Sequence, residues 1–378
     1  MTVRVCHLIH GLGPGGAEHV LVDLARASAG QVDMSVVSLM PSQGAEHVRE
    51  LRDLGVPVGT LDLAGRWDPR GFARATAAIA PLRPDVLHSH MKHADLVGAR
   101  VAATVGVPLV STLHLVEDAV TPVGRVKRRL AARARMRAAA HTVTVSDALR
   151  RWYLATFGAD AGRVSTVRNG VLPPAALPES RRLALRAEAG AGAGTVLVTC
   201  LGIMRPGKGH AQLLRAVERL PEAAGVRVAL AGDGPLRARL RRAVASSPVL
   251  RDRVTLLGFR RDVGALLQAS DVVVQPSLSD ALPTSLIHAL AAGVPAVASA
   301  VGGIPEIVTP ATGVLVPPGD VGALATALLG LAEEPGRRQS LGAAARSRFD
   351  REFDARVWAE RLRRLYERVL ADTAAVPM

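Results

Sequence analysis

Arg205 and Lys208 stand three residues apart in a glycine-flanked turn that follows the apolar run Val196 to Leu201. Two fixed cations leaving one strand end can clamp a diphosphate. The string around them, GIMRPGKG (202–209), fits GxxxxGK, but Gly209 stands where a nucleoside triphosphatase needs Ser or Thr for magnesium. Farther on, QPSLSDALPTSLIHALAAGVPAVASAVGGIPEIV (275–308) sets Asp280 ahead of a helix that Pro283 is expected to open as its first residue. The N–H groups near Thr284 and Ser285 would then face an anion, with His288 about one turn on. Near the amino terminus Gly11, Gly13 and Gly16 match GxGxxG, but no acidic residue follows the next apolar run, which ends at Leu39-Met40-Pro41. A nicotinamide site is disfavoured on that mismatch, and an anion-approaching glycine turn remains. His88, His90 and His93 suggest zinc, since alternate strand positions face one way, but no clear fourth ligand accompanies them and no metal is expected.

These residues need strand ends to hold them. Short β-branched runs alternate with helical patterns: Val3 to Ile9, a helix from Ala17 to Ala27, Met34 to Leu39, Val86 to His88, a helix from Ala94 to Val105, and Leu109 to Leu113. A second set runs through Val196 to Leu201, Val226 to Leu230, Val254 to Leu257, Val272 to Gln275, Ala296 to Ser299 and Val314 to Val316. This rhythm predicts α/β architecture with two doubly wound parallel sheets. The Pro, Gly and Ala density from 172 to 194 predicts a linker between a domain at 1–171 and a domain at 195–352, with a terminal amphipathic helix in 353–378.

Composition narrows the partners. The chain has 378 residues, 49% apolar and 21% charged, enough for two globular domains and unlike a disordered protein. Its 47 Lys and Arg against 33 Asp and Glu leave a net charge of +14, yet aromatics make up only 3% and no nucleic-acid motif is present, so nucleic-acid binding is not expected. An arginine-rich helix from Gly124 to Ala140 reads first as a solvated face and second as a contact for an anionic membrane. Cys6 and Cys200 sit far apart in apolar runs and predict two free buried thiols in a reducing compartment. The start MTVRVCHLIHGLGPGG lacks a basic leader and a cleavage site, and Gly293 and Pro295 break the longest apolar stretch, 285–301. A cytoplasmic protein, with the inner face of the membrane as a peripheral contact, is expected.

In order and spacing, GPGGAE (13–18), HSH (88–90), STLH (111–114), TVSDA (144–148), VRNGV (167–171), the Arg205/Lys208 turn, AGDGP (231–235), LLGFRRDV (256–263) and the 275–308 block resemble the retaining glycosyltransferases of family four. The resemblance covers nearly the whole length. It implies a GT-B fold, two facing Rossmann-like domains with a cleft between them, and transfer of a sugar from a nucleoside diphosphate, most simply uridine, to a hydroxyl of a glycan, lipid-linked or small-molecule acceptor. Arg205 and Lys208 would neutralise the diphosphate as the leaving group gains charge. The segment Leu282 to Ser285 would add backbone amides, from Leu282, Thr284 and Ser285 since Pro283 carries no N–H, and Gly15 and Gly16 would close over the donor. His114 would sit at the reacting sugar, and the backbone around Phe259 and Arg260 would meet the base. The resemblance implies no metal and no cofactor.

One pair departs from the family pattern of Glu, seven residues and a second Glu: here Asp280 and His288 occupy those places. Asp280 keeps a carboxylate on a shorter arm. His288 offers one acceptor where a carboxylate offers several, so the ribose contact is expected to weaken. Two further readings follow: a GT-B protein that binds sugar nucleotide or glycan without transfer, and a sugar-nucleotide 2-epimerase.

Overall fold

The computed structural model describes residues 2–13, 16–42, 46–61, 63, 70–115 and 122–375, without the side chains of 16, 17, 122 and 127. Gly15, expected over the donor, lies outside the described residues.

The chain divides into two units, 1–170 with 355–378, and 171–354. In the first, β1 (Val3–Ile9), β2 (Val32–Ser38), β3 (Val58–Thr60), β4 (Val86–His90), β5 (Leu109–Leu113), β6 (Ala139–Thr144) and β7 (Val164–Thr166) form a sheet in the order β3-β2-β1-β4-β5-β6-β7. In the second, β8 (Val196–Leu201), β9 (Val226–Ala231), β10 (Val254–Gly258), β11 (Val272–Gln275), β12 (Ala296–Ser299) and β13 (Gly313–Val316) form the order β10-β9-β8-β11-β12-β13. Every described pairing is parallel. The strands read as continuous apolar runs because helices cover both faces of a parallel sheet. Each sheet reverses its winding once, between β1 and β4 and between β8 and β11, and ligands of open α/β sheets bind outside the carboxyl ends at such a reversal.

The stretch 172–194, expected as a linker, carries the helix Glu179–Glu188 and belongs to the second unit. Arg186 fastens it there, donating to the carbonyls of Ala269 and Thr195 and to the Asp271 carboxylate. The last helix, Ala355–Ala374, belongs to the first unit and buries Trp358, Leu362, Leu365, Tyr366 and Val369.

The arginine-rich helix spans Pro122–Ala138, and it is not solvated along its whole length. Arg135 is fully buried: its Nε and Nη2 donate to Asp95 Oδ2 at 2.9 and 2.5 Å, while the hydroxyls of Ser89 and Ser111 donate to Oδ1 at 2.6 and 2.7 Å. A buried ion pair with its remaining lone pairs satisfied ties that helix to β4, β5 and the helix Met91–Val105. Cys6 and Cys200 are free and buried in β1 and β8, and burial pushes both thiols up to about 12.

Candidate active site

At the reversal of the second sheet, the turn after β8 and the loop after β11 are laced together. The Leu278 amide donates to the Gly207 carbonyl at 2.8 Å, and Gly209, with φ of 73°, lies so close to the Pro276 carbonyl that a Cβ would strike it. Lys208 Nζ donates to Asp280 Oδ2 at 2.6 Å, and the Ser277 hydroxyl donates to the same oxygen at 3.1 Å. Gln275 Nε2 donates to Ser277 Oγ at 2.8 Å, and Ser285 Oγ donates to Gln275 Oε1 at 2.9 Å. One run of hydrogen bonds therefore leads from the start of the helix Thr284–Ala291 to the lysine. Pro283 is the residue before that helix rather than its first, in an extended conformation, because a proline ring fits a helix entry on either side of the boundary. The amides at Thr284 and Ser285 are left without intrahelical acceptors, as at any helix start.

The two cations of the turn differ in their surroundings. Asp280 compensates Lys208, whose ammonium keeps further N–H donors, whereas Arg205 is exposed and has no ion pair among the described residues. Leu282 and Pro283 are buried beneath the loop, Thr284 and Ser285 are half-buried, and His288 is half-buried one turn along the same helix. Phe259 is 57% exposed just after β10. Arg260 beside it is committed to Asp262, at 2.8 Å, and to Glu188, which raises its pKa and engages three of its five N–H groups. The sequence reading missed Gln275, Ser277 and His210. The last is buried behind the lysine turn and held neutral to about 4 by desolvation and then by the Lys208 charge.

The reversal of the first sheet carries imidazoles. His7 Nδ1 lies 2.8 Å from His90 Nε2, and His90 Nδ1 lies 2.9 Å from His114 Nε2. His88 has Nδ1 at 2.7 Å from the Tyr366 hydroxyl and Nε2 at 2.6 Å from Thr112 Oγ1. Parallel pairing sets His7 of β1 opposite His88 of β4, which brings the rings within reach of one another. Burial, reinforced for His88 and His90 by the neighbouring imidazoles, holds His7 down to about 3, His114 to about 4 and the other two well below the usual value. At the end of β4 the backbone turns at Met91 with φ of 71°, and His93, expected beside His88 and His90, pairs instead with His10, Nδ1 to Nδ1 at 3.0 Å.

His7, His88 and His90 each have a nitrogen within 4.8 Å of the others, yet the rings of His88 and His90 stack at 4.3 Å and 28°. Imidazole lone pairs lie in the ring plane, so stacked rings do not converge on one ion, and both nitrogens of His88 and of His90 already have partners. The set fits a hydrogen-bonded stack better than a metal cage. Sequence spacing could not assemble it, because His7 and His90 are 83 residues apart.

Residues 14–173 match the family described as Glycosyltransferase Family 4, and residues 195–334 match Glycosyl transferases group 1. A D-inositol 3-phosphate glycosyltransferase of Xylanimonas cellulosilytica is 31% identical over 376 residues, 92% of this chain and 86% of that protein. The 2-deoxystreptamine N-acetyl-D-glucosaminyltransferase of Streptomyces fradiae is 31% identical over 309 residues, 76% of this chain and 72% of that one. In structure, Anabaena HepE in complex with UDP and glucose superposes with a TM-score of 0.83 at 23% identity, over 97% of this chain and 99% of that one. The two parallel-sheet units are thus those of the GT-B fold. Matched along both units by family models and by relatives over most of its length, the chain belongs to the group 1 and family 4 glycosyltransferases.

Proposed function

We propose that the protein transfers a sugar from a UDP-sugar to a hydroxyl of a glycan, lipid-linked or small-molecule acceptor, with retention at the anomeric carbon. The observation that carries this reading is the second-sheet reversal, where uncompensated Arg205, the Lys208 ammonium and the open amides of Thr284 and Ser285 meet at adjoining strand ends. Cleavage of the glycosidic bond leaves the diphosphate more negative, so these groups bind the transition state more tightly than the ground state. They meet that charge without a divalent ion, and the transfer is assigned as metal-independent on that ground. A front-face displacement, in which a donor phosphate oxygen takes the acceptor proton, gives retention and needs no carboxylate nucleophile. His114 acts at the reacting sugar, Gly15 and Gly16 approach the donor, the backbone of Phe259 and Arg260 meets the uracil, and His288 contacts the ribose. The relatives named for inositol 3-phosphate and 2-deoxystreptamine favour small polyhydroxylated acceptors as the first to try.

Calorimetric titration with UDP, GDP and ADP tests the donor site without knowledge of the acceptor. Selective binding of UDP that Arg205→Ala weakens is the expected result. Failure of all three to bind would overturn the reading and leave a glycan-binding protein without transfer. Conversion of UDP-GlcNAc without any acceptor would instead reveal the 2-epimerase.

Peripheral membrane contact also belongs to the proposal. The helix Pro122–Ala138 exposes Val123 at 64%, Val126 at 58% and Leu130 at 58%, beside exposed Arg125, Arg129, Arg133 and Arg137. No described helix is long and apolar enough to cross a membrane. Apolar residues flanked by arginines suit an anionic bilayer surface, here the cytoplasmic face. Salt-sensitive pelleting with phosphatidylglycerol vesicles is expected, and absence of pelleting at low salt would end this part of the reading.

A further inference from the structure

His114 Nε2 is taken by His90, and His114 Nδ1 is buried without a hydrogen-bond partner among the described residues. If His114 works at the reacting sugar, which is the reading proposed above, it must do so through Nδ1. Whether Nδ1 presents a proton or a lone pair then decides what His114 can bind.

The chain His7, His90, His114 restricts that choice. All three imidazoles are held neutral by burial, so each carries one N–H, and each of the two contacts between them needs one donor and one acceptor. Two arrangements satisfy both contacts. In one, His7 Nδ1–H donates to His90 Nε2, His90 Nδ1–H donates to His114 Nε2, and His114 carries its proton on Nδ1. In the other, every donor points the opposite way, His7 ends with Nε2–H, and His114 Nδ1 is a bare acceptor. A mixed state would set two N–H groups or two lone pairs against each other at under 3 Å, at 2.8 or 2.9 Å. The tautomers of the three rings are therefore linked, and His7, buried in β1, has a say in what His114 presents.

We infer that His7 and His90 are positioning residues that lock His114 as the Nδ1–H tautomer, a hydrogen-bond donor for an oxygen of the sugar or phosphate of the bound donor. The reacting groups decide between the two arrangements. An oxyanion attracts an N–H and is repelled by a lone pair, and a sugar hydroxyl near the departing diphosphate accepts from an N–H while it gives its own proton toward the phosphate. His88, anchored by Thr112 and Tyr366, stacks on His90 and holds that ring in the plane the chain requires. A neutral relay keeps the donor in place without a buried positive charge. An imidazolium at this position would also be the wrong partner for a carbon that gains positive charge as the glycosidic bond breaks.

The test is two-bond 1H–15N correlation NMR on the full chain labelled with 15N-histidine, recorded without ligand and again with UDP, with His114 assigned by loss of its signals in His114→Gln. The expected result is one His114 tautomer with its proton on Nδ1. His90→Leu removes both contacts and should release His114 into a mixture of tautomers. His90→Asn, whose amide N–H can still donate to His114 Nε2, should keep the Nδ1–H form. In turnover of UDP-glucose, by transfer or by hydrolysis, His90→Leu should lower kcat on the order of tenfold with KM little changed, and His90→Asn should recover most of it. A His114 that carries its proton on Nε2 in the natural sequence, or a tautomer unchanged by His90→Leu in a protein that still melts cooperatively, would overturn the inference. The spectra of the unliganded protein decide the lock, whereas UDP titration decides the site reading on which its purpose rests, so the two can fail separately.

Discussion

The reversals of the two sheets share one strand order and differ in almost everything placed on it. Between β8 and β11 stand a paired lysine, an exposed arginine and a run of hydroxyl and amide groups. Between β1 and β4 stand buried rings with no formal charge, in hydrogen bonds to one another and to Tyr366 and Thr112. The backbone supplies the same platform twice, and the side chains make one platform suited to fixed negative charge and the other to directional donation. Fold brings groups to a place; the chemistry there is set by which residues leave the strand ends.

Acid should separate the two units most strongly. Nine of the eleven histidines lie in the first unit, and His7, His19, His47, His88, His90, His114 and His141 there all titrate below the usual value. Above pH 6.5 both the folded and the unfolded chain carry these rings neutral, and stability is full. As pH falls below 6.5 the unfolded chain takes up protons that the folded one refuses, and stability drains until the folded rings themselves titrate, at about 4 for His114 and about 3 for His7. For the fully buried His7 and His114 the cost is about 1.4 kcal/mol per pH unit each in that window, and it is smaller for the partly exposed rings such as His19. Hydrogen exchange, corrected for intrinsic rates, should show protection of β1, β4 and β5 falling between pH 7 and 5 well before that of β8 and β11. Parallel loss in both sheets would break the contrast.

The second reversal is best probed through its ion pair. Lys208→Ala removes the proposed phosphate ligand and also leaves Asp280, only 12% exposed, as an uncompensated negative charge at the proposed diphosphate site. UDP affinity is expected to fall about a hundredfold, the scale of breaking one side of a buried pair. Arg205→Ala, which breaks no ion pair among the described residues, should cost about tenfold. Adding Asp280→Asn to Lys208→Ala should restore roughly tenfold by removing the repulsion. Equal losses for the two single variants in calorimetry would mean that Asp280 does not act on the ligand through Lys208.

The contrast also explains what could be read from the chain alone. The cations, the helix start and the strand ends of the second unit lie within short segments, and β1, β5, β8, β11 and β12 have the very bounds expected from their β-branched runs. β3 and β7, with three residues each, and β6, whose β-branched run begins only at Thr142 after Ala139, Ala140 and His141, went unseen. The helix Glu179–Glu188 sits among prolines and glycines, and what holds it is Arg186 reaching carbonyls and a carboxylate elsewhere in the unit. The imidazole chain was illegible for the same reason. HSH shows that His88 and His90 share a face, but that His7 completes the chain depends on β1 pairing with β4, and local pattern holds no register.

His288 offers the smallest effect and the finest test of how the second reversal treats a nucleoside. It lies one turn into the helix Thr284–Ala291, half-buried, where the sequence resemblance leads one to expect a carboxylate. A neutral imidazole can accept one hydrogen bond from a ribose, whereas a carboxylate can accept from both hydroxyls. If His288 faces the ribose, His288→Glu should tighten UDP by about fivefold, or about 1 kcal/mol, the net worth of one added hydrogen bond. The gain should vanish for 2′-deoxy-UDP, since the second hydroxyl is then missing. An unchanged affinity for UDP would place His288 away from the ribose and leave nucleotide recognition in this unit to the phosphate groups and the backbone beyond β10.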